Sequence, residues 1–403
     1  MPSAADAAFT TRANVALLAL CQALSMSMQS MGIATTPLAG YALLGADKSL
    51  ATLPLVLVHL GVMATTIPAS LLMARIGRRR GFSIGALAGI AAGAVSTAAI
   101  FQNSFPLLCL GALIQGSAAA FAWYFRFAAA DAADAAFRAK AISLVLAGGV
   151  IAGFAGPELS KWTKELFAPV TFAGIYAMFV VLSAAMLLLV QGLRIPGLTV
   201  TELKEAGRPM SEIMRQPAYV IAVISSMLGY GVMTLVMSAT PLAMLDCGFT
   251  FNDSATVIQA HVVAMFLPSF FTGHLIARFG VLIVIAVGAV IQLACALVNL
   301  AGIGFGHFFV ANVLVGLGWN FMFIGGSTLL TTTYRPAERA KAQAGHDFLV
   351  YATTALAAGL SGLLQANVGW MVVNAAAIPA TAVVLAAVAW LASHQRRPAS
   401  GTA

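Results

Sequence analysis

The sequence predicts an all-α membrane protein with twelve transmembrane helices. Hydrophobic residues make up 61% of the 403 residues and charged residues 8%, whereas soluble domains carry about 25% charged residues. The mean hydropathy is +0.94. Apolar runs repeatedly reach the ~20 residues that a helix needs to cross a hydrocarbon core. Alternating segments of about ten residues, typical of a membrane β-barrel, are absent from the sequence.

Twelve such runs follow one another along the chain and divide into two sets of six. The first set is 13–38, 50–74, 81–102, 105–130, 140–160 and 168–193. The second set is 218–244, 254–277, 280–303, 306–332, 342–366 and 369–393. The polar segment between the sets predicts a cytoplasmic linker, with a ligand-binding segment as the alternative. The predicted organisation is therefore an N-terminal six-helix bundle (1–193), a linker (194–217) and a C-terminal six-helix bundle (218–403).

Positive charge is divided unequally between the two sides of the predicted membrane. An even number of spans places both termini on one side, and all of the 21 Lys and Arg residues except Lys48, Lys161 and Lys164 fall on that side. Loops rich in Lys and Arg stay in the cytoplasm, so we expect cytoplasmic termini in a bacterial inner membrane. The net charge of +8 therefore indicates membrane topology and contact with lipid, and not nucleic-acid binding.

The two halves share short sequences at equivalent positions. The repeated sequences are Thr-Pro-Leu-Ala at 36–39 and 240–243, Ala-Arg-x-Gly at 74–77 and 277–280, and Arg-Ala-Lys-Ala at 138–141 and 339–342. His59 and His261 occupy matching places in spans two and eight. Their order and nearly constant offset indicate an internal duplication. Six spans per copy give both copies the same orientation, so an axis along the membrane normal relates them.

The loop between spans two and three carries a family motif. Residues 70–79 read SLLMARIGRR, which resembles the pattern Gly-x-x-x-Asp-Arg-x-Gly-Arg-Arg of the major facilitator superfamily. The Arg-x-Gly-Arg-Arg half matches, while Ser70 and Ala74 replace the Gly and the Asp. With the duplicated halves, the chain resembles this superfamily along its whole length. The resemblance implies a transporter of two pseudo-symmetric six-helix bundles, in which spans one, four, seven and ten line a cavity.

Polar and aromatic residues near mid-depth of these four spans are the candidates for substrate binding. Gln and Asn offer paired donors and acceptors, and Trp and Tyr can stack on planar ligands. These side chains predict a medium-sized, partly aromatic organic solute as the substrate. The alternative for each side chain is that it packs inside the bundle. The candidates are Gln22, Gln29, Gln115, Tyr124, Tyr230, Trp319 and Asn320.

Ionisable groups inside the spans are costly in lipid and therefore indicate function. His59 and His261 lie near mid-depth, and Asp347 lies inside span eleven, so these three are the candidates for proton coupling. The alternatives are neutral imidazoles hydrogen-bonded between helices, and a carboxylate stabilised by a helix N-terminus.

A cytoplasmic gate is expected where the basic loop approaches the end of span four. The resemblance favours ion pairs between its arginines and nearby carboxylates, whereas the alternative is that the arginines set the topology and contact lipid phosphate. Arg126 is a further candidate, unless its side chain reaches out to the membrane surface. The predicted gate residues are Arg75, Arg78, Arg79, Asp131, Asp134 and Arg126.

The sequence lacks the motifs of several other functional classes. The nucleotide-binding loop Gly-x-x-x-x-Gly-Lys-Ser/Thr is absent, which argues against ATP-driven transport. The four cysteines lack metal-ligand spacing, and neither an enzyme nor a cofactor nor a metal is expected. The predicted function is secondary active transport of a small organic solute by alternating access in a monomer, with protons as the leading coupling ion and the direction open. The alternatives are an uncoupled facilitator and a non-transporting membrane sensor built on a transporter scaffold.

Overall fold

The computed structural model describes residues 4–44, 50, 53–195 and 207–396, and the regular elements in these ranges are helices. Lys48 and the central part of the predicted linker (196–206) lie outside the described residues. The helices of the first half are α1 (Ala4–Leu43), α2 (Leu53–Ile76), α3 (Arg78–Phe101), α4 (Phe105–Ala122), α5 (Phe125–Ala132), α6 (Arg138–Thr163) and α7 (Ala173–Val190).

The second half begins with a short helix and continues with longer ones. The helices are α8 (Met210–Met214), α9 (Pro217–Asp246), α10 (Phe251–Phe266), α11 (Ser269–Phe279), α12 (Val281–Ala301), α13 (Phe305–Leu330), α14 (Arg339–Val368), α15 (Trp370–Ala375) and α16 (Ala377–Arg396). A 3-10 turn, Pro336–Glu338, precedes α14.

The number of membrane spans agrees with the twelve apolar runs of the sequence. Within the described residues, eleven helical segments are long and apolar enough to cross a membrane. The bent pair Thr256–Phe266 and Ser269–Phe279, with an angle of 41°, makes twelve if it counts as one span. The fourth span, Phe105–Ala132, combines α4 and α5. The prediction of an all-α, twelve-helix membrane protein is confirmed.

Local sequence sets several helix ends. Ser104 accepts a hydrogen bond from the backbone N–H of Leu107 at the start of α4, as expected of an N-cap. Thr250 and Asp253 form a capping box at the start of α10. Hydrogen bonds from the Thr250 side chain and backbone lower the pKa of Asp253, so this cap is fully present near neutral pH and weakens as the pH falls through that lowered pKa.

Two equivalent glycines end the duplicated Ala-Arg-x-Gly sequences. Gly77 separates α2 from α3 with φ of 88°, and Gly280 separates α11 from α12 with φ of 89°. Such positive φ values are strained for residues with a Cβ atom. The same backbone break therefore occurs at the same place in both halves, as a duplication requires.

Contacts divide the chain into two compact units. The first unit contains Met1–Glu205 together with Gln343–Ala355, and the second contains Ala206–Ala342 together with Leu356–Ala403. The middle of α14 therefore belongs to the first unit, although the sequence repeat places span eleven in the second half. This membership brings residues of α14 close to the first six spans.

The main helix contacts repeat from one unit to the other. In the first unit, α4 packs against α2 and α3, and α3 packs against α7. In the second unit, α13 packs against α10 and α12, and α12 packs against α16. In each half, the second span packs against the fourth, the third against the fourth, and the third against the sixth. This agreement fits two copies of one bundle.

Arg208 fixes the described end of the predicted linker. Its guanidinium donates to both carboxylate oxygens of Glu338, at 2.8 and 2.6 Å, and to the Thr333 carbonyl at 3.0 Å. The hydrogen bond to Glu338 is the main cause that raises the pKa of Arg208. The segment that follows residue 206 is thereby attached to the turn that precedes α14.

Close packing of α1 against α6 generates a stability prediction. A Cβ atom on Gly148 would lie 2.2 Å from the Ala19 carbonyl oxygen, whereas Gly359 in α14 has nothing within 4 Å. We expect Gly148→Ala to lower the free energy of unfolding by about 1–3 kcal/mol, since overpacking displaces the helices. Thermal unfolding of the purified protein in detergent measures the loss. Gly359→Ala is the matched control, and an equal effect of both substitutions would contradict tight α1–α6 packing.

Candidate functional site

The first unit contains a cavity of about 60 Å³ among α1, α2, α3, α4 and α7. This volume holds about four water molecules. Most of the lining is apolar, as in ligand sites where a few polar groups give orientation. The polar residues of the lining are Gln29, Thr36, His59, Ser96, Gln115 and Tyr176.

Three predicted site residues meet at this cavity. Gln29 comes from α1, His59 from α2 and Gln115 from α4. Within the described part of the chain, Gln29 Nε2 and Gln115 Oε1 have no hydrogen-bond partner. The cavity therefore offers one amide donor and one amide acceptor, and buried groups of this kind normally have a partner.

Two other candidates of the first unit do not line the cavity. Gln22 is buried two turns before Gln29 on α1, and its Nε2 also lacks a partner among the described residues. Tyr124 is buried, and its hydroxyl donates to the Thr66 carbonyl at 2.9 Å. The Tyr124 hydroxyl thus holds α2 against the end of α4.

The second unit contains an aromatic cluster around Trp319. The Trp319 ring stacks on Phe323 at 5.0 Å and meets Tyr230 and Phe266 edge-on at 5.4 and 5.6 Å. Trp319 is fully buried, and within the ranges that the structure describes its Nε1 lacks an acceptor. Tyr230, which is half-buried, brings the edge of this cluster to the surface of the unit.

Asn320 and His261 are engaged inside the second unit. Asn320 donates to the Met265 carbonyl and Ser269 Oγ, both at 2.6 Å, and accepts from Thr272 at 2.7 Å. It therefore ties together the break between α10 and α11. His261 Nδ1 lies 2.8 Å from the Asn312 carbonyl, and this nitrogen must carry the hydrogen because a carbonyl only accepts.

Apart from Arg126, the predicted gate residues divide into one buried pair and three exposed residues. Arg78 Nη2 lies 2.9 Å from Asp131 Oδ2, and the same nitrogen donates to Gln343 Oε1 at 2.8 Å. Arg75 is exposed, and Arg79 is exposed and donates to Gln191. Asp134 is also exposed, and it accepts from the Phe137 N–H just before α6.

Arg126 and Asp347 form an ion pair inside the first unit. Arg126 Nη2 lies 2.6 Å from Asp347 Oδ1, and both side chains are fully buried. Arg126 also donates to the Trp123 carbonyl at 2.7 Å, and its guanidinium lies 4.3 Å from the centre of the Phe127 ring. The Arg126 side chain therefore points into the protein and does not reach out to the membrane surface.

Sequence reasoning missed His346 and Gln343. His346 is fully buried, and its Nδ1 lies 2.7 Å from Asp347 Oδ1. The one signal in the sequence was the position of His346 next to Asp347. Gln343 carries no charge, and only the packing of α14 shows that it meets Arg78.

The hydrogen bonds of Arg78 generate a second prediction. We expect Arg78→Lys to lower the free energy of unfolding by about 1.5–3 kcal/mol, because an ammonium group cannot reproduce the bonds of a guanidinium to Asp131 and Gln343. Thermal unfolding of the detergent-solubilised protein measures this change. Arg79→Lys, one position further on and exposed, should stay within about 0.5 kcal/mol. Equal stability of the two variants would argue against a structural role for the Arg78 contacts.

Twelve membrane helices in two similar bundles, with a cavity that a few polar side chains line and with buried charges, define a class of membrane transporter rather than an enzyme. The family model described as Major Facilitator Superfamily matches residues 15–259 and 222–403. The chain belongs to the major facilitator superfamily, and it is a multi-pass membrane transporter of a small molecule. The resemblance inferred from the sequence is confirmed.

Curated relatives cover most of the chain. The riboflavin transporter RfnT of Brucella anthropi is 40% identical over 380 residues, which cover 94% of this chain and 95% of that protein. The uncharacterized MFS-type transporter YddS of Bacillus subtilis is 28% identical over 362 residues, covering 85% of this chain and 83% of that protein.

Solved structures show the same fold at low sequence identity. The E. coli fucose:proton symporter FucP aligns with a TM-score of 0.72 and 16% identity, over 94% of this chain and 99% of that chain. The human organic anion transporter MFSD10 aligns with a TM-score of 0.74 and 12% identity, over 94% of this chain and 99% of that chain. At these identities the comparison concerns the fold alone.

Proposed function

We propose that this protein is a secondary active transporter of riboflavin or a close flavin, driven by a proton gradient and working by alternating access. The observation that carries the substrate is the 40% identity to a riboflavin transporter over 94% of this chain. Relatives that are this similar along their whole length commonly keep the same class of substrate. The chemistry of each unit agrees with this assignment.

Riboflavin combines a flat aromatic ring system with a hydroxylated ribityl chain. In the first unit, Gln29 Nε2 and Gln115 Oε1 supply a donor and an acceptor at a cavity of about 60 Å³. That volume suits the hydroxyl groups of a ribityl chain and is too small for a three-ring system. In the second unit, the half-buried Tyr230 at the edge of the Trp319 cluster carries an aromatic ring of the kind on which planar rings stack.

Riboflavin flux in proteoliposomes tests the substrate. We expect saturable uptake of radiolabelled riboflavin that excess lumichrome or FMN reduces to different degrees. Gln29→Leu and Gln115→Leu should each raise the half-saturating concentration about 2- to 10-fold, since each removes one hydrogen bond of about 0.5–1.5 kcal/mol. Gln102→Leu, an exposed glutamine after α3, is the matched control.

The outcomes of this assay separate the competing functions. Saturable flux of another vitamin or organic anion, without riboflavin flux, would replace the flavin by that solute. The absence of flux for the whole panel, with folded protein in the vesicles, would favour a membrane sensor. Riboflavin flux that is the same at every imposed pH gradient would favour an uncoupled facilitator.

Proton coupling is assigned to Asp347, with His59 and His261 as the other candidates. Asp347 supports the assignment best because its carboxylate is fully buried and bonded to the Arg126 guanidinium. Adding a proton to this carboxylate removes its charge and with it the ion pair. Buried ionisable groups of membrane transporters commonly serve such proton relays.

Substitution of Asp347 tests this coupling. We expect Asp347→Asn to abolish riboflavin accumulation driven by a pH gradient and to spare counterflow exchange, because an amide can neither bind nor release the proton. Since Asp347→Asn alone leaves a buried guanidinium without its carboxylate, at a cost of about 3–5 kcal/mol, the neutral double variant Arg126→Gln/Asp347→Asn is measured beside it. Unchanged accumulation in a folded variant would remove Asp347 from the mechanism.

The membrane arrangement completes the proposal. Cytoplasmic termini follow from the Lys and Arg residues, which gather on one side of the predicted spans. The proposal also places the protein as a monomer in a bacterial inner membrane. We place the gate at Arg78 of the basic loop and Asp131 at the end of α5, since these two predicted gate residues form a buried pair at 2.9 Å.

A further inference from the structure

Arg126, His346 and Asp347 form a buried cluster, called here the buried triad. Asp347 Oδ1 lies 2.6 Å from Arg126 Nη2 and 2.7 Å from His346 Nδ1. All three side chains are fully buried. His346 Nε2 and Asp347 Oδ2 have no hydrogen-bond partner among the residues that the structure describes.

The geometry fixes the tautomer of His346. An ionised carboxylate only accepts hydrogen bonds, so the hydrogen between His346 and Asp347 sits on Nδ1. In the neutral imidazole the lone pair is then on Nε2, the nitrogen without a partner in the described structure. His346 can therefore accept a proton on one nitrogen while its other nitrogen already points a hydrogen at Asp347.

We propose that His346 relays the coupling proton to Asp347 and that arrival of the proton releases Arg126. A proton binds Nε2, the Nδ1–H bond breaks, and an O–H bond forms at Asp347 Oδ1. His346 ends neutral with its hydrogen on Nε2, so one proton has moved and no other group is consumed. The 2.7 Å contact persists with the carboxylic acid now donating to Nδ1, whereas the ion pair between Asp347 and Arg126 is lost.

The charge that lies near the triad is already balanced, so an added proton changes the net charge of the triad itself. Arg78 lies nearby on α3, but Asp131 balances its charge at 2.9 Å. Tyr124 lies within electrostatic range of Asp347, Arg126 and Arg78.

Two aromatic side chains also lie around the triad. Phe127 sets its ring edge-on to His346 at 6.5 Å, and on α14 the Tyr351 ring packs against Trp123. No other charged pair among the described contacts involves His346 or Asp347.

The triad sits at the middle of three contacts that join α14 to the rest of the first unit. Gln343 bonds to Arg78, Asp347 bonds to Arg126, and the Tyr351 ring packs 5.5 Å from Trp123. Residues 343, 347 and 351 are spaced by four and therefore share one helix face. Loss of the central ion pair weakens the hold on Gln343–Ala355, so the proton state of the triad sets how tightly this segment is bound.

The inference rests on the proton coupling proposed above, and histidine variants test it separately. His346→Asn keeps an amide N–H donor near the position of Nδ1 but cannot relay a proton. In proteoliposomes we expect it to slow the initial rate of riboflavin uptake driven by a pH gradient 10-fold or more, with counterflow exchange within 2-fold of wild type. His274→Asn, an exposed histidine on α11, is the matched control and should change neither rate.

The outcomes of these assays distinguish a proton relay at His346 from a structural role and from the absence of proton coupling. A wild-type rate of gradient-driven uptake in folded His346→Asn would overturn the inference. Equal loss of uptake and counterflow in folded His346→Asn would also overturn it, since that result indicates a structural role. If His346→Asn unfolds at a lower temperature than wild type, His346→Gln is assayed in the same way. Wild-type counterflow without any response to the pH gradient would instead reject proton coupling itself.

Discussion

Hydrocarbon offers no hydrogen-bond partners, so this chain must satisfy its polar groups internally. The backbone does so by forming helices, and a charged side chain inside a span needs a partner of opposite charge. Arg126 and Asp347 meet this requirement at 2.6 Å. Because Asp347 lies on α14, the pairing brings the segment Gln343–Ala355 into the first unit, where Gln343 and Tyr351 add contacts on the same helix face. One electrostatic requirement therefore determines where the middle of this helix packs.

The two copies of the ancestral bundle have diverged where polar chemistry is needed. The breaks at Gly77 and Gly280 and the main helix pairings remain alike. The first unit has a small, mostly apolar cavity where Gln29 and Gln115 each have an amide atom without a partner among the described residues. The second unit has an aromatic cluster and the fully bonded Asn320. The two units thus share one scaffold, while their buried polar and aromatic side chains differ.

Similar side chains in the sequence have different surroundings in the structure. His59 lines the cavity, His261 bonds to a backbone carbonyl, and His346 bonds to a buried carboxylate. Arginines 78 and 79 are adjacent, yet the first is buried against Asp131 and the second is exposed. Residue type therefore indicates that chemistry is available, but the neighbours decide which groups are free to bind a solute or a proton.

The sequence by itself determined the helical membrane class, the twelve spans, the duplication and the superfamily, because these depend on hydropathy and on short local motifs. It also named Gln29, His59 and Gln115, which the structure brings to one cavity. Only the tertiary structure decided that Arg126 points inward, that Asp131 rather than Asp134 meets Arg78, and that His346 joins Asp347. These contacts, apart from the last, join residues far apart in the chain, and the position of α14 that creates the triad depends on packing that no local pattern records.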